Sequence, residues 1–255
     1  MFKRLKQNKF LIEELIKRDF KKKYKRTALG MAWSVLSPML TLLVMKLVFT
    51  RFFGRDSPHY TTYLFAGNIV YSFFNGATSQ GMNSLVNNAH IFTKVNVPKY
   101  LFLLSRNVQA LINFGLTLIV FFVFCILDHI TFTWKFIFLL YPIIMVTIFN
   151  IGVGLILSAL YVFFRDVQYL WTIFLQLLMY MSAIFYRVTK YPPEVQKLFN
   201  INPVYLFISY FRQITIDGVI PPLWLHLLIL FDVIVFVAIG CRMYKKYNTE
   251  FLYYL

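Results

Sequence analysis

Residues 103–127 read LLSRNVQALINFGLTLIVFFVFCIL, and this stretch decides the fold. The hydrocarbon core of a bilayer is about 30 Å thick, so a helix that rises about 1.5 Å per residue crosses it in about 20 residues. Lipid offers no hydrogen-bond partner to the backbone, and the stretch is too evenly apolar for a barrel strand, in which apolar and polar residues alternate. The stretch therefore predicts a transmembrane helix.

Five further apolar stretches flank the first one, at 29–53, 62–85, 134–161, 169–188 and 223–243. Hydrophobic residues make up 59% of the chain and charged residues 14%. Soluble domains are nearer half apolar and a quarter charged. The patterns predict an all-α polytopic membrane protein with six transmembrane helices. We expect residues 1–255 to form a single transmembrane domain, with the six-span bundle at 29–243.

Basic residues cluster at the start of the chain. The chain holds 26 lysines and arginines, has a net charge of +16, and carries eleven of these basic residues before Gly30. Cytoplasmic segments are enriched in Lys and Arg, so we expect the N-terminus in the cytoplasm and, after six spans, the tail at 244–255 on the same side. The charge is explained by topology and by contact with anionic membrane lipids, and it does not predict nucleic-acid binding.

Two segments outside the spans also show a pattern. Residues 10–28 predict an amphipathic helix in the cytoplasmic interface, because apolar residues such as Leu15 and Phe20 alternate with basic ones at helical spacing. In the outer segment 188–222, the apolar run at 204–216 is too short to cross a bilayer. We expect this run to form a re-entrant or interfacial helix at the outer mouth.

Polar residues recur along one face of the second span. They follow each other at intervals of three or four, which places them on one side of a helix. Weaker polar positions occur in the fifth span. Two interpretations are open: interhelical hydrogen bonding, or the wall of a hydrated path. The candidate conduit residues are Asn68, Ser72, Asn75, Ser79 and Asn83 in the second span, with Gln176 and Tyr180 in the fifth.

Aromatic residues beside these polar positions, such as Tyr71, Phe73 and Phe74, would suit a path for sugars, although ordinary helix packing explains them as well. Two charged residues, Lys46 and Asp232, fall inside apolar spans, where charge is costly and commonly functional. Lys46 could extend its ammonium to the outer surface, or the two residues could form an ion pair.

Three stretches together resemble a known family. Residues 18–26 (RDFKKKYKR), followed by Leu29–Gly30, Trp33 and Pro38, lead into the first span. The sequence FFRDV at 163–167 joins the fourth and fifth spans, and Asn202–Pro203, Arg212 and Asp217–Gly218 lie on the outer side. In this order and spacing, the chain resembles the membrane subunit of type 2 ABC exporters, in the polysaccharide-export branch that handles O-antigen, capsule or teichoic acid.

The resemblance implies an assembly and a location. It implies a homodimer with two cytoplasmic ABC ATPase subunits, in the cytoplasmic (inner) membrane of a bacterium or archaeon. No GxxxxGK[ST] motif occurs in the sequence, so we expect no catalytic residues, metal or cofactor in this chain, with ATP and Mg on the partner ATPase. The implied substrate is a glycan on a polyprenyl pyrophosphate lipid.

The resemblance also implies roles for individual residues. The loop 86–96 and the turn at Arg165–Asp166 would transmit motion from the ATPase, although a helix-capping turn is an alternative for Arg165–Asp166. Cations at the end of the amphipathic helix would bind the pyrophosphate, or anionic lipids in general. The implied residues are Asn87, Asn88, Ile91, Arg165 and Asp166 for coupling, Lys22, Tyr24, Lys25 and Arg26 for the headgroup, and Asn202, Pro203 and Arg212 for an outer gate.

Other functions fit the sequence less well. The same architecture could export a lipid or a drug. A membrane-embedded transferase would need carboxylates or histidines clustered at one membrane face, whereas the ten acidic residues and four histidines are dispersed. A proton-coupled carrier would need several buried carboxylates, and Asp232 alone qualifies.

Overall fold

A computed structural model describes residues 9–24, 29–53, 59–92 and 97–254 of the chain. The described residues are largely helical, and none of them lies in a strand. In chain order the helices are α1 (Lys9–Tyr24), α2 (Trp33–Phe53), α3 (Tyr60–Met82), α4 (Ala89–Phe92), α5 (Tyr100–Leu127), α6 (Leu140–Phe163), α7 (Val167–Met181), α8 (Pro193–Phe199), α9 (Pro203–Thr215) and α10 (Leu223–Tyr247).

A helix occupies each of the six predicted spans. Among the described residues, three helical segments are long and apolar enough to cross a bilayer: Tyr100–Leu127 with 28 residues, Trp134–Phe163 with 30 and Leu223–Tyr247 with 25. Two shorter apolar helices cover Trp33–Phe49 and Val167–Met181. The protein is thus built as an all-helical, multi-pass membrane protein, while the count of six spans and the side of the termini stay predictions.

The end of the fifth span differs from the prediction, and the last helix continues into the predicted tail. The fifth span was expected to reach residue 188, but α7 ends at Met181 because Ala183 adopts a left-handed conformation with φ of 50°. A left-handed residue just past the end commonly terminates a helix. Helix α10 continues to Tyr247, into the predicted tail, and places Lys245 and Lys246 in its last turn, where cations interact favourably with the helix dipole. The start of the tail at residue 244 stays a prediction.

Helix α3 lies at the centre of the bundle. It packs against α5, α6 and α9, and more lightly against α2 and α7. Several of its side chains have no exposed surface, namely Leu64, Phe65, Val70 and Ala77. These residues point in different directions around the helix, so nearly its whole circumference is covered. Every helix that α3 touches is therefore positioned relative to it.

Helices α6 and α10 form the most extensive contact between two elements, and glycines permit it. A Cβ added to Gly152 would lie 2.8 Å from the backbone nitrogen of Val237, and one added to Gly240 would lie 2.9 Å from the carbonyl oxygen of Gly152. The two backbones touch directly, which is typical of small residues between membrane helices.

A second, smaller hydrophobic cluster lies at the predicted cytoplasmic end. It contains residues of α1, α5, α6 and α10, one residue that follows α3 and one residue of the tail. Phe251 of the tail is fully buried there and packs against Phe163, while the ammonium of Lys99 donates to the carbonyl of Asn248. The members of this end cluster are Leu15, Leu85, Phe102, Leu103, Leu155, Ala159, Val162, Tyr244 and Phe251.

Candidate functional site

The polar positions predicted to line a conduit form the uncovered side of α3. The residues of α3 that are not buried are all polar or glycine: Asn68, Ser72, Asn75, Gly76, Ser79 and Gln80. Asn83, just past the helix, is also partly exposed. We use the name polar stripe for Asn68, Ser72, Asn75, Ser79 and Asn83. An otherwise buried helix thus exposes only hydrophilic groups along its length.

Hydrogen bonds within the polar stripe are local. The Ser79 hydroxyl donates to Asn75 Oδ1 at 3.2 Å, and Asn83 Nδ2 donates to the Ser79 carbonyl at 2.9 Å. The side chains of Asn68 and Ser72 make no hydrogen bond to the described part of the chain. Among the described residues, no side-chain hydrogen bond joins the stripe to a neighbouring helix, so the interhelical interpretation has no support within this part of the chain, and the path stays a prediction.

The aromatic residues beside the stripe serve packing instead. Tyr71, Phe73 and Phe74 are all buried, and Phe73 stacks on Phe114 with ring centroids 4.4 Å apart. On α7, Gln176 and Tyr180 are exposed, as a surface facing a path, lipid or a second copy would require.

A cysteine at Ser72 is expected to react with a charged thiol reagent, because only the thiolate reacts and a thiolate needs water. The matched control is Ile119→Cys, since Ile119 is 62% exposed on the apolar outer face of α5. Both changes are made with Cys241→Ser, which leaves Cys125 buried. We expect faster labelling of Ser72→Cys in native membrane vesicles, and equally slow labelling at both sites would exclude a hydrated stripe.

Three tyrosines of α3 hold α7 through its main chain. The hydroxyl of Tyr71 donates to the Leu175 carbonyl at 2.6 Å, that of Tyr63 to the Tyr186 carbonyl at 2.7 Å, and that of Tyr60 to the Phe185 carbonyl at 2.8 Å. The last two acceptors lie in the unwound residues that follow α7. These tyrosines were not among the predicted site residues. Their spacing along α3 was visible in the sequence, but their acceptors were not.

Arg212, predicted as part of an outer gate, binds the same unwound segment. Its side chain is 6% exposed and reaches from α9 between α3 and α7. Nε donates to the Tyr63 carbonyl at 3.1 Å, Nη1 to that of Ala183 at 2.9 Å and Nη2 to that of Ile184 at 3.0 Å. The guanidinium also lies 3.4 Å from the centroid of the Tyr63 ring. Carbonyl dipoles and an aromatic face thus stabilise this buried cation.

Asn202 and Pro203 begin α9 and fasten it to α7. Asn202 Oδ1 accepts from the backbone N–H of Val204 at 3.0 Å, while its Nδ2 donates to the Ser182 hydroxyl at 2.9 Å. Pro203 occupies the first turn, where a missing N–H costs nothing. The three predicted gate residues therefore meet at the end of α7, together with Tyr60 and Tyr63.

The predicted coupling turn lies on the surface at the other end. Arg165 and Asp166 are both exposed, and the Arg165 guanidinium lies 5.1 Å from the centroid of the Tyr161 ring. Asp166 occupies the N-cap position of α7, yet its side chain accepts no hydrogen bond from the helix. The backbone N–H groups of Val167 and Gln168 donate to the carbonyls of Phe164 and Arg165, so the residues form a turn at the start of α7 without a side-chain cap. The helix-capping turn and the coupling role both stay predictions, and both charges are exposed.

The predicted coupling loop folds into a short helical segment, Val86–Phe92, which we call the coupling segment. Asn87 is exposed and Ile91 is half-buried. Asn88, in contrast, is 2% exposed: its Nδ2 donates to the Ser84 carbonyl and its Oδ1 accepts from Arg18, both at 2.8 Å. Asn88 is thus engaged in contacts inside the protomer, and its role in coupling stays a prediction. Residues 93–96 of the predicted loop lie outside the described part.

The predicted headgroup residues are only partly described. Lys22 and Tyr24 belong to the last turns of α1, but the structure does not describe their side chains, and Lys25 and Arg26 lie outside the described residues. The predicted intramembrane charges lie on α2 and α10, helices without an extensive mutual contact. Lys46 is exposed, Asp232 is partly exposed, and no ion pair joins the two within the described protomer.

The sequence of the chain is similar to those of known membrane transporters. A family model described as ABC-2 type transporter matches residues 11–216. Two proteins of Klebsiella pneumoniae, each named O-antigen export system permease protein RfbA, are 26% and 24% identical to the chain, over 94% of this chain and 93% of theirs. A protein of the same name from Myxococcus xanthus is 25% identical over 87% of this chain and 86% of its own.

Proposed function

Because this chain belongs to the ABC-2 type transporter membrane family, we propose that it is the membrane subunit of an ATP-driven exporter that moves a lipid-linked polysaccharide across the cytoplasmic membrane. In this proposal two copies of the chain assemble with two cytoplasmic ATPase subunits, which bind ATP and Mg. The chain itself is a permease subunit and supplies the path rather than the hydrolysis.

The substrate class is supported by the similar proteins. The three relatives are named for O-antigen export, and each aligns with most of this chain. O-antigen is a polysaccharide, and a polyprenyl pyrophosphate lipid is the carrier that the resemblance implies. In the sequence, the basic residues at the end of α1 directly precede the entry to α2. They suit a pyrophosphate, because paired cations bind its several oxygens.

The polar stripe is the observation that carries the proposal. A helix at the centre of a membrane bundle exposes apolar residues when it faces lipid, since polar groups in hydrocarbon are costly. Helix α3 instead exposes only Asn68, Ser72, Asn75, Gly76, Ser79 and Gln80. Hydroxyl and amide groups of this kind can replace the hydrogen bonds that a sugar chain makes with water.

The proposed ATPase contact surface combines the coupling segment and the turn at Arg165–Asp166. Asn87 and Arg165 expose polar side chains, and the two elements lie at the end of the bundle where the end cluster joins α3, α5 and α6. Because this cluster is packed, displacement of either element would tilt the long helices as a body.

Purification of the tagged chain from native membranes tests the proposal. We expect the purified chain to retain a stoichiometric ATPase subunit. After reconstitution into proteoliposomes, we expect the complex to move a lipid-linked glycan across the membrane when ATP is added. Exchanging the two charges of the turn, in Arg165→Glu with Asp166→Lys, is expected to weaken ATPase binding at least about 20-fold. Charged interface groups typically contribute about 2 to 5 kcal/mol when truncated.

The matched control exchanges an exposed charge pair at the other end of the bundle, in Lys190→Glu with Glu194→Lys. This variant is expected to bind the ATPase as the unchanged protein does. Both variants should elute at the same volume in size-exclusion chromatography, which reports folding. Recovery of the chain with no ATPase subunit would contradict the assembly. Transport of phospholipid without glycan would keep the assembly and replace the substrate.

A further inference from the structure

Helix α1 is docked onto the bundle by its apolar face. Leu15 is 4% exposed and belongs to the end cluster with Leu85, which precedes the coupling segment, and with Phe102 of α5. The opposite face is solvated: Lys17 is bound to Glu14 at 3.0 Å, and both side chains are about half exposed or more. The helix therefore rests on the elements that carry the coupling segment.

A charge-assisted hydrogen bond adds a second, directional attachment. Arg18 Nη2 donates to Asn88 Oδ1 at 2.8 Å, across 70 positions of sequence. The Asn88 amide is oriented for this contact, because its Nδ2 donates to the Ser84 carbonyl at 2.8 Å. Asn88 is 2% exposed, so breaking the contact would leave its buried acceptor without that donor.

The contact joins two regions to which the proposed function gives different partners. Lys22, one of the proposed headgroup residues, follows Arg18 by four positions in α1, which is about one helical turn or 6 Å. Asn87 and Ile91, proposed to touch the ATPase, flank Asn88 in the coupling segment. A displacement of α1 must therefore also displace Asn88 and the coupling segment, or break the Arg18–Asn88 hydrogen bond.

We propose that the Arg18–Asn88 hydrogen bond is a relay through which a polyprenyl pyrophosphate at the basic end of α1 stimulates the ATPase bound at the coupling segment. This inference rests on the proposed function. Arg18 acts as a positioning residue: it moves Asn88 and its neighbours when the headgroup moves α1. Coupling between two sites requires such an element that both sites bias.

The test measures ATP hydrolysis by the complete complex in proteoliposomes. Farnesyl pyrophosphate is the probe, and inorganic pyrophosphate in a parallel series separates a lipid headgroup from a free anion. Arg18→Met removes the donor and keeps the length of the side chain. Its matched control is Lys17→Met, which removes the same charge from the adjacent residue, where the partner is Glu14 instead of Asn88.

Stimulation is expected for the unchanged protein and for Lys17→Met, with farnesyl pyrophosphate but not with inorganic pyrophosphate. In Arg18→Met the maximal stimulation should fall several-fold, toward the basal rate, while the probe concentration for half-maximal effect or direct binding stays the same. Asn88→Leu, which removes the acceptor from the other side of the contact at similar side-chain size, should lower the maximal stimulation in the same way. A purely structural defect would not separate amplitude from affinity in this way.

Each contrary result has a distinct meaning. Equal stimulation of Arg18→Met and Lys17→Met would overturn the relay and leave the proposed function intact. Loss of probe binding in Arg18→Met would overturn it as well, because Arg18 would then belong to the headgroup site. An unchanged protein that farnesyl pyrophosphate does not stimulate would overturn the relay, whereas the proposed substrate class is decided separately by the glycan-transport assay.

Discussion

Arg212→Met is expected to lower the free energy of unfolding by roughly 3 to 5 kcal/mol and to abolish export. The substitution removes the donors to the carbonyls of Tyr63, Ala183 and Ile184, all in a buried region. A buried acceptor left without a partner costs about 1 to 3 kcal/mol, and a charged donor makes each bond stronger. Thermal unfolding of the detergent-solubilised protein measures the stability.

Two further variants show whether geometry or charge matters at this position. Arg212→Lys keeps the charge but has no planar fork, so one ammonium cannot reach carbonyls of three residues in the same geometry, and most of the loss should remain. Gly67→Ala perturbs the site from the opposite side, because its Cβ would lie 2.6 Å from Arg212 Nη2. If Arg212→Met unfolds at the temperature of the unchanged protein, the guanidinium does not hold α7 in place.

Gly152→Ala is expected to destabilise the protein by about 1 to 3 kcal/mol, the usual cost of overpacking. Its Cβ would lie 2.8 Å from the Val237 nitrogen and 2.9 Å from the Phe236 carbonyl carbon. Both atoms are backbone, so no side chain can rotate away and α10 itself must shift from α6. The midpoint of unfolding in a mild detergent series reports the change.

The control for Gly152→Ala is Gly115→Ala in α5, where an added Cβ meets nothing within 4 Å. The same chemical change should there be neutral or stabilising by up to about 1 kcal/mol, because alanine favours a helix over glycine. Equal destabilisation by both substitutions would mean that loss of glycine flexibility, and not the α6–α10 contact, sets the effect.

The sequence predicted the positions of the long helices well, because a long apolar run in a membrane protein has few structural alternatives. It failed at the end of α7. Residues 182–186 continue the apolar pattern of the helix, whereas the donors to their carbonyls come from Arg212 and Tyr63, which are distant in sequence. The hydropathy of a segment does not show that its carbonyl groups accept hydrogen bonds from side chains of other helices.

Among the predicted site residues too, local sequence patterns were informative and contacts between distant residues were not. The polar stripe of α3 was identified from its helical spacing, which the structure preserves as the uncovered side of that helix. Asn202–Pro203 could have been identified as a helix start, since a capping residue followed by proline is a local signal. The burial of Asn88 could not, because it depends on a contact with Arg18 that only the folded chain creates.

Apart from the Ser182 hydroxyl, the acceptors described above that hold α7 and the residues after it against α3 and α9 are main-chain carbonyls, those of Leu175, Ala183, Ile184, Phe185 and Tyr186. A carbonyl oxygen is present whatever side chain its residue carries. Exposed side chains of α7, among them Gln176 and Tyr180, can therefore be replaced without touching these attachments. A mutational library over this face would therefore change its surface chemistry while the attachments of α7 stay the same.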